Sequence, residues 1–280
     1  MLNIPKLPLA DWVDAFVKWL SHFEGFFYAI TNFLGAIIGA FQWVFDLIPI
    51  PVFIVLVMGL TAWVTRRKIR VGLLLFELLG FLYIWNQGYW RDMTQTLTLV
   101  LTASLLAVII GVPLGLWAAT SKPVAMVVKP LMDFMQTMPA FVYLIPAVAF
   151  FGIGMVPGVV ASVIFAMPPT VRMTKLGIEQ VSSELIEAAD SFGATSWQRL
   201  VKVQLPSALP NIMAGINQSM MLALSMVVIA SMIGAMGLGT EVYFAVGRNE
   251  AGSGFAAGLA IVILAIILDR VTQAMNKAKR

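Results

Sequence analysis

No cysteine occurs among the 280 residues, and His22 is the single histidine. Disulfides, cysteine-based metal sites and histidine clusters are therefore excluded, and no metal site is expected. Charge is the second scarcity. Asp, Glu, Lys and Arg make up 11% of the chain, where a soluble domain carries about 25%. Hydrophobic residues make up 60%, so polar side chains cannot cover a water-facing surface. The chain reads as an all-α, polytopic membrane protein, which also excludes disorder, a coiled coil and a secreted disulfide scaffold. The net charge of +4 fits basic cytoplasmic loops better than a nucleic-acid partner.

Two further absences narrow the function. There is no G-x-x-x-x-G-K-[ST] segment, so the phosphate-cradling loop of an ATPase is missing and no cofactor is expected on this chain. The stretch Gly234-Ala-Met-Gly-Leu-Gly239 is not a dinucleotide fingerprint, since no strand flanks it. Of the carboxylates, only Glu77 lies well inside an apolar run. A proton- or sodium-driven carrier would place more of them in the membrane. Glu77 itself reads either as functional or as a hydrogen-bonded carboxyl between helices. With one histidine and no paired carboxylates in register, no catalytic constellation emerges, and an enzyme is not expected.

What the chain has in abundance is apolar runs. A helix needs about 20 apolar residues to cross a bilayer. Candidate spans lie at roughly 48–65, 71–90, 93–119, 139–156, 157–171, 207–236 and 255–268. Lys6, Asp11, Asp14 and Lys18 precede the first long apolar run without a basic n-region and cleavage site, so the segment is expected to be retained. Basic residues gather at Arg66, Arg67, Lys68 and Arg70, at Arg172, Lys175, Arg199 and Lys202, and at Lys277, Lys279 and Arg280. Alternating spans put all three clusters on one side, which the positive-inside rule makes cytoplasmic, with the C-terminus. The stretch Gly25–Phe45 is uncharged and long enough to cross. Its phenylalanines, isoleucines and Leu34 nevertheless repeat at helical spacing against Thr31, Asn32 and Gln42. It reads as a helix lying in the membrane interface, with a spanning helix as the alternative.

Glycines four apart, at 35/39, 111/115, 154/158 and 254/258, are expected to let helix backbones approach closely. Pro139, Pro146, Pro168 and Pro169 are expected to interrupt or bend their spans.

The most informative segment is polar. About 35 residues separate the spans that end near Val171 and start near Ser207, and they include EAADSFGATSWQRLVKVQLP. Glu184 to Asp190 has helical composition, Gly193 supplies a turn, and Thr195 with Gln198 forms a capping box. The second helix carries Trp197, Leu200, Val201 and Gln204 on one face, and Pro206 is expected to end it. Two short helices joined at a glycine would present an aromatic–aliphatic ridge, either to a partner or to the membrane surface.

Here the sequence resembles the permease subunits of ABC importers. Glu187-Ala188-Ala189, three residues, Gly193, and then Leu205-Pro206 is similar to that family's EAA loop, which seats in a cytosolic ATPase subunit. Within the family, NQGYWRDMTQTLTLVLTA, MDFMQTMPAFVYLIPAVAFFGIGMVPGVVA and MPPTVRMTKLGIEQV resemble the membrane subunits of glycine betaine/proline betaine importers of the OpuA and ProU type.

The resemblance implies a type I importer permease in a bacterial plasma membrane. It divides the chain into an N-terminal segment 1–47, two additional transmembrane helices in 48–92, and a five-helix core in 93–280 with the coupling loop at about 172–206. It implies Glu187, Ala188, Ala189, Gly193, Trp197, Leu200 and Pro206 as the ATPase-coupling residues. ATP and magnesium would sit on a partner ATPase, substrate would arrive from an external binding protein, and a second copy of the chain would complete the pathway. Asn217, Gln218 and Ser219 either line that pathway or hydrogen-bond neighbouring helices. Glu241, Arg248, Asn249 and Glu250 offer charges for docking the binding protein. The many Met and Phe residues (17 and 18) suit a quaternary ammonium as well as ordinary lipid-facing packing. The alternatives are an importer of an amino acid such as methionine and an ion-coupled carrier.

Overall fold

A computed structural model of the protein describes residues 7–65 and 71–277, with side chains through residue 274. The basic side chains at 66–70, 277, 279 and 280, on which much of the orientation reading depends, lie outside that range. Among the described residues all regular structure is helical.

Three long helices form the centre: α5 (Trp90–Thr120), α8 (Met155–Glu179) and α11 (Leu205–Ser231). Small residues set their register. A Cβ on Gly158 would meet Leu99, one on Gly111 would meet Thr170, and one on Gly115 would lie 2.7 Å from Thr174. Helices α5 and α8 are therefore parallel. Gly215 faces Met173 and Pro169, while Gly177 faces Ala208 and Asn211, so α11 runs antiparallel to α8. Inside this contact Thr170 and Ser219 hydrogen-bond at 2.7 Å, both buried, a link worth about 0.6 kcal/mol in an apolar setting.

The expected close approaches hold at Gly111, Gly115, Gly158 and Gly254, where an added Cβ would lie 3.1 Å from Ala245. Nothing would meet a Cβ within 4 Å at Gly35, Gly39, Gly154 or Gly258, although the Gly154 backbone itself touches the turn after α11.

Two ends of the bundle can be distinguished. At one, called the turn end, Gly234 (φ 86°) and Gly237 (φ 139°) carry the chain from α11 into α12 (Leu238–Gly247). Gly237 is required there twice over. Its φ is left-handed, and a Cβ would lie 2.6 Å from Thr96 Oγ1. The turn is tied down by Leu238 N–H donating to Thr96 Oγ1 at 2.9 Å and by Gly154 N–H donating to Ile233 O at 2.8 Å. The opposite, loop end carries the polar segment between α8 and α11. Helix α13 (Ala251–Lys277) returns the chain from the turn end, and Asn217 on α11 donates to its Asp269 at 2.8 Å.

Helices α3 (Ile50–Val64) and α4 (Val71–Asn86) form a hairpin against α13. Glu77 is fully buried between them and accepts a hydrogen bond from Thr61 at 2.8 Å. The interhelical, hydrogen-bonded reading of Glu77 is the one the structure takes.

The span expected at 139–156 is not formed. Instead α6 (Lys122–Thr137) is followed by a 3-10 turn, Ala140–Tyr143, and an eight-residue α7 (Leu144–Phe151), with a bend of 108° between α6 and the 140–151 segment. Helix α7 is only about 12 Å long, too short to cross alone. Pro139 has no N–H to continue α6 and disfavours helical geometry at Met138, which is extended (ψ 135°). By contrast, Pro168 and Pro169 do not end α8, which continues to Glu179. The short 157–171 span is thus one part of a 25-residue helix.

Helix α2 (Glu24–Leu47) is long and apolar enough to cross a membrane. Its contacts lie toward one end of the bundle. Phe27 stacks on Phe150 at 4.6 Å, Gln42 accepts from Thr98 at 3.1 Å, and Phe45 meets Phe53, which meets Trp90. The pairing of Leu99 with Gly158 puts Thr94 and Thr98 level with the start of α8, beside Phe151. Both halves of α2 therefore touch the turn end, and the helix runs across the bundle. Before it, α1 (Leu9–Ser21) leaves Trp12, Phe16 and Trp19 exposed.

Candidate functional site

The loop end is built from α9 (Ser183–Ser191), α10 (Ser196–Arg199) and a π turn, Leu200–Gln204, that leads directly into α11. Ser182 caps α9, its hydroxyl accepting from Leu185 N–H. At the other end of α9, Gly193 takes φ 77°. Gly193 N–H donates to Asp190 O at 2.9 Å and Ala194 N–H to Ala189 O at 3.1 Å. This is the paired-bond helix stop in which a left-handed glycine turns the chain back onto the last carbonyls. It gives the E-A-A-x-x-x-G spacing a physical meaning. The third motif residue, Ala189, supplies the carbonyl that the residue after the glycine closes upon.

Two residues later Thr195 starts the second helix with both capping-box bonds in place, Gln198 N–H to Thr195 Oγ1 at 3.3 Å and Thr195 N–H to Gln198 Oε1 at 3.0 Å. Sequence reasoning did not anticipate the clamp across the turn. Arg199 donates to both carboxylate oxygens of Asp190, at 3.0 and 2.8 Å. It holds α9 and α10 as one rigid corner. An acid before the glycine and an arginine in the following helix were the available signal.

The expected ridge is divided. Trp197 is 71% exposed and Val201 is exposed, but Leu200 turns inward against Ile178, Ala208 and Ile212. Phe192, which the sequence reading passed over, is 92% exposed at the tip of the corner. Glu187 and Ala188 are exposed and Ala189 is half-buried. Pro206 does not end the second helix. It lies in the first turn of α11, where a missing N–H is tolerated, and the π turn just before it keeps the helical path unbroken.

Arg172 anchors α6 to this end of α8 by donating to Asp133 Oδ1 at 2.5 Å and to Gln136. Lys175 pairs with Glu179 at 3.2 Å.

The three consecutive polar residues of α11 point three ways, as steps of about 100° require. Asn217 is committed to Asp269 and Ser219 to Thr170, while Gln218 is exposed. Only Gln218 remains open to a solute.

At the turn end, Arg248 lies over the Phe244 ring at 5.5 Å, Asn249 (φ 56°) turns the chain from α12 into α13, and Glu250 accepts from Ser253 at 3.1 Å. Glu241 is half-buried and faces the start of α5. Burial first, then Glu241, Tyr83 and Asp92, raise the Tyr89 phenol above its ordinary range. Of the four residues expected as docking charges, three therefore sit at the α12–α13 turn and Glu241 does not. Val246 and Phe255 are exposed beside them.

Residues 111–280 match the family described as binding-protein-dependent transport system inner membrane component. Across nearly its whole length the chain is similar to two curated permeases. It is 71% identical over 277 residues to the glycine betaine/carnitine transport permease protein GbuB of Listeria monocytogenes, covering 99% of this chain and 98% of that one. It is 54% identical over 281 residues to the glycine betaine transport system permease protein OpuAB of Bacillus subtilis, covering 100% and 98%. Among solved structures it resembles the inward-facing MetNI methionine ABC transporter, with TM-score 0.64 and 22% identity over 69% of this chain and 96% of that one. At that identity the likeness concerns the fold.

Proposed function

The chain belongs to the family of binding-protein-dependent transport system inner membrane components, and on that premise we propose that it is the membrane subunit of an ATP-driven importer of glycine betaine and related quaternary ammonium osmoprotectants. The observation that carries the substrate class is whole-length similarity, at 71% and 54% identity, to two permeases named for glycine betaine. The observation that supports the mechanism is the rigid corner at the loop end, with Phe192 and Trp197 exposed on it.

In this reading the loop end faces the cytoplasm, as do the basic residues Arg172, Lys175, Arg199 and Lys202, and the C-terminus with it. The turn end is external, and α2 lies in the outer interface. An ATPase subunit, which carries the ATP and magnesium, grips the corner. Trp197 and Phe192 fill its cleft, and the Asp190–Arg199 clamp makes the corner move as a unit. Leu200, packed against Ile178 and Ala208, passes that motion to α8 and α11. Nucleotide binds the two arrangements of the bundle unequally, and this difference drives the shift from inward-open to outward-open. A binding protein delivers substrate at the turn end, where the α12–α13 turn with Arg248, Asn249 and Glu250 receives it. One five-helix core forms half a pathway, so two copies assemble, with Gln218 as the polar group of α11 open to the solute. Likeness of fold to a methionine transporter lends no weight to an amino-acid substrate.

The test is uptake of labelled glycine betaine after an osmotic upshift, in cells with and without the gene. Loss on deletion and restoration by the wild-type gene are expected. Uptake that persists in cells with no other betaine importer would overturn the substrate. Gly193→Asp should lower uptake with the protein still in the membrane, and normal transport would remove the role given to the corner.

A further inference from the structure

Between the first turns of α2 and the end of α7, at the turn end, lies a cavity of about 580 Å³. That size is within the range of small-molecule sites. Its walls are mainly aromatic. Phe27, Tyr28, Phe150 and Phe151 line it, together with Glu24. Phe27 and Phe150 stack at 4.6 Å with an interplanar angle of 11°, and Phe151 meets Phe27 edge-on at 5.6 Å. Neither Phe150 nor Tyr28 meets a further ring among the described residues. Tyr28 is 69% exposed and Phe150 is half-buried. Among the described residues no hydrogen bond or ion pair engages the Glu24 carboxylate.

We infer that this cavity is an external binding site for a methylated ammonium group, with the cation held over the Tyr28 and Phe150 faces and Glu24 supplying the counter-charge. Aromatic faces attract a cation through their quadrupole, and a quaternary ammonium has no N–H to satisfy. A ring-lined cavity with one carboxylate therefore suits it better than it suits a hydrated primary amine. Both the substrate proposed above and a choline lipid headgroup carry this chemistry. The inference commits to the soluble ligand and rests on that substrate reading for its identity.

The test uses the permease with its ATPase subunits, purified without binding protein into nanodiscs of phosphatidylglycerol. Labelled glycine betaine and labelled tetramethylammonium are titrated by equilibrium dialysis. Saturable binding of both is expected. Tyr28→Ala should weaken it about two- to fivefold and Tyr28→Phe should restore it, while Glu24→Gln should weaken it about fivefold. Loss of betaine binding on adding phosphatidylcholine supports the same ammonium chemistry and identifies the headgroup as a second source. No saturable binding, or binding that Tyr28→Ala and Glu24→Gln leave unchanged, overturns the site. Uptake separates the two readings. Gene-dependent uptake without such binding removes the site alone. Binding sensitive to the variants, in a system whose betaine uptake does not need the gene, keeps the site and removes the substrate.

Discussion

A Cβ at Gly193 would meet nothing within 4 Å, so the cost of replacing this residue comes from the backbone alone. With φ at 77°, an ordinary side chain costs about 1–2 kcal/mol, asparagine costs less, and a β-branched residue costs most. Gly193→Asn is therefore expected to transport better than Gly193→Val, and uptake at matched membrane levels would show the order. Phe192 and Trp197 pose the opposite case, because both are exposed and support little of the fold. Phe192→Ala and Trp197→Ala should leave the amount of permease unchanged yet reduce co-purification of the ATPase, by about 2 kcal/mol each if they are anchors. Trp197 was legible from the sequence through its place after a capping box. Phe192 was not, because a phenylalanine beside a glycine reads equally as core until the turn is seen to lift it outward. Asn217, Gln218 and Ser219 were legible as a polar patch, but which of them stays unpaired depended on Asp269 and Thr170, 52 and 49 residues away.

At the scale of elements, the small residues of the α5–α8–α11 contact determine how close the helices come. Gly115→Leu would force a side chain into Thr174 and the Val171 carbonyl, both 2.7 Å from the added carbon. Overpacking of this kind costs about 1–3 kcal/mol. Gly115→Leu should lower the amount of folded protein, whereas Gly35→Leu, with open space around it, should not. Thermal stability in detergent would compare the two. In the α3–α4 hairpin, Glu77→Gln keeps an acceptor for Thr61 and should be tolerated. Glu77→Lys places an unpaired charge between the helices and should reduce the protein recovered from membranes. Most helices could be placed from apolar runs alone. The broken segment α6–α7 could not, because Pro139 was visible but the direction of the chain after it depends on Tyr143 donating to Met135 O at 2.5 Å and on Leu144 and Ala147 packing against Ala161 and Met226.

For the whole molecule, a single core with its coupling corner predicts a complex of two permease chains with two ATPase chains, and native mass spectrometry of the purified importer would count them. The sequence by itself determined that this chain lives in a membrane, since 11% charged residues cannot cover a soluble surface. It also determined the local form of the loop-end corner, because an EAA helix, a left-handed glycine and a capping box act within about 20 residues of one another. Local chemistry of that kind survives translation into structure. Tertiary structure alone decided which glycines are contacts, which polar residues stay unpaired, and that both halves of α2 touch the turn end. Each of these depends on what a distant segment brings alongside. In a chain with so many interchangeable apolar faces, hydropathy places a helix in the membrane but does not say which face meets which neighbour.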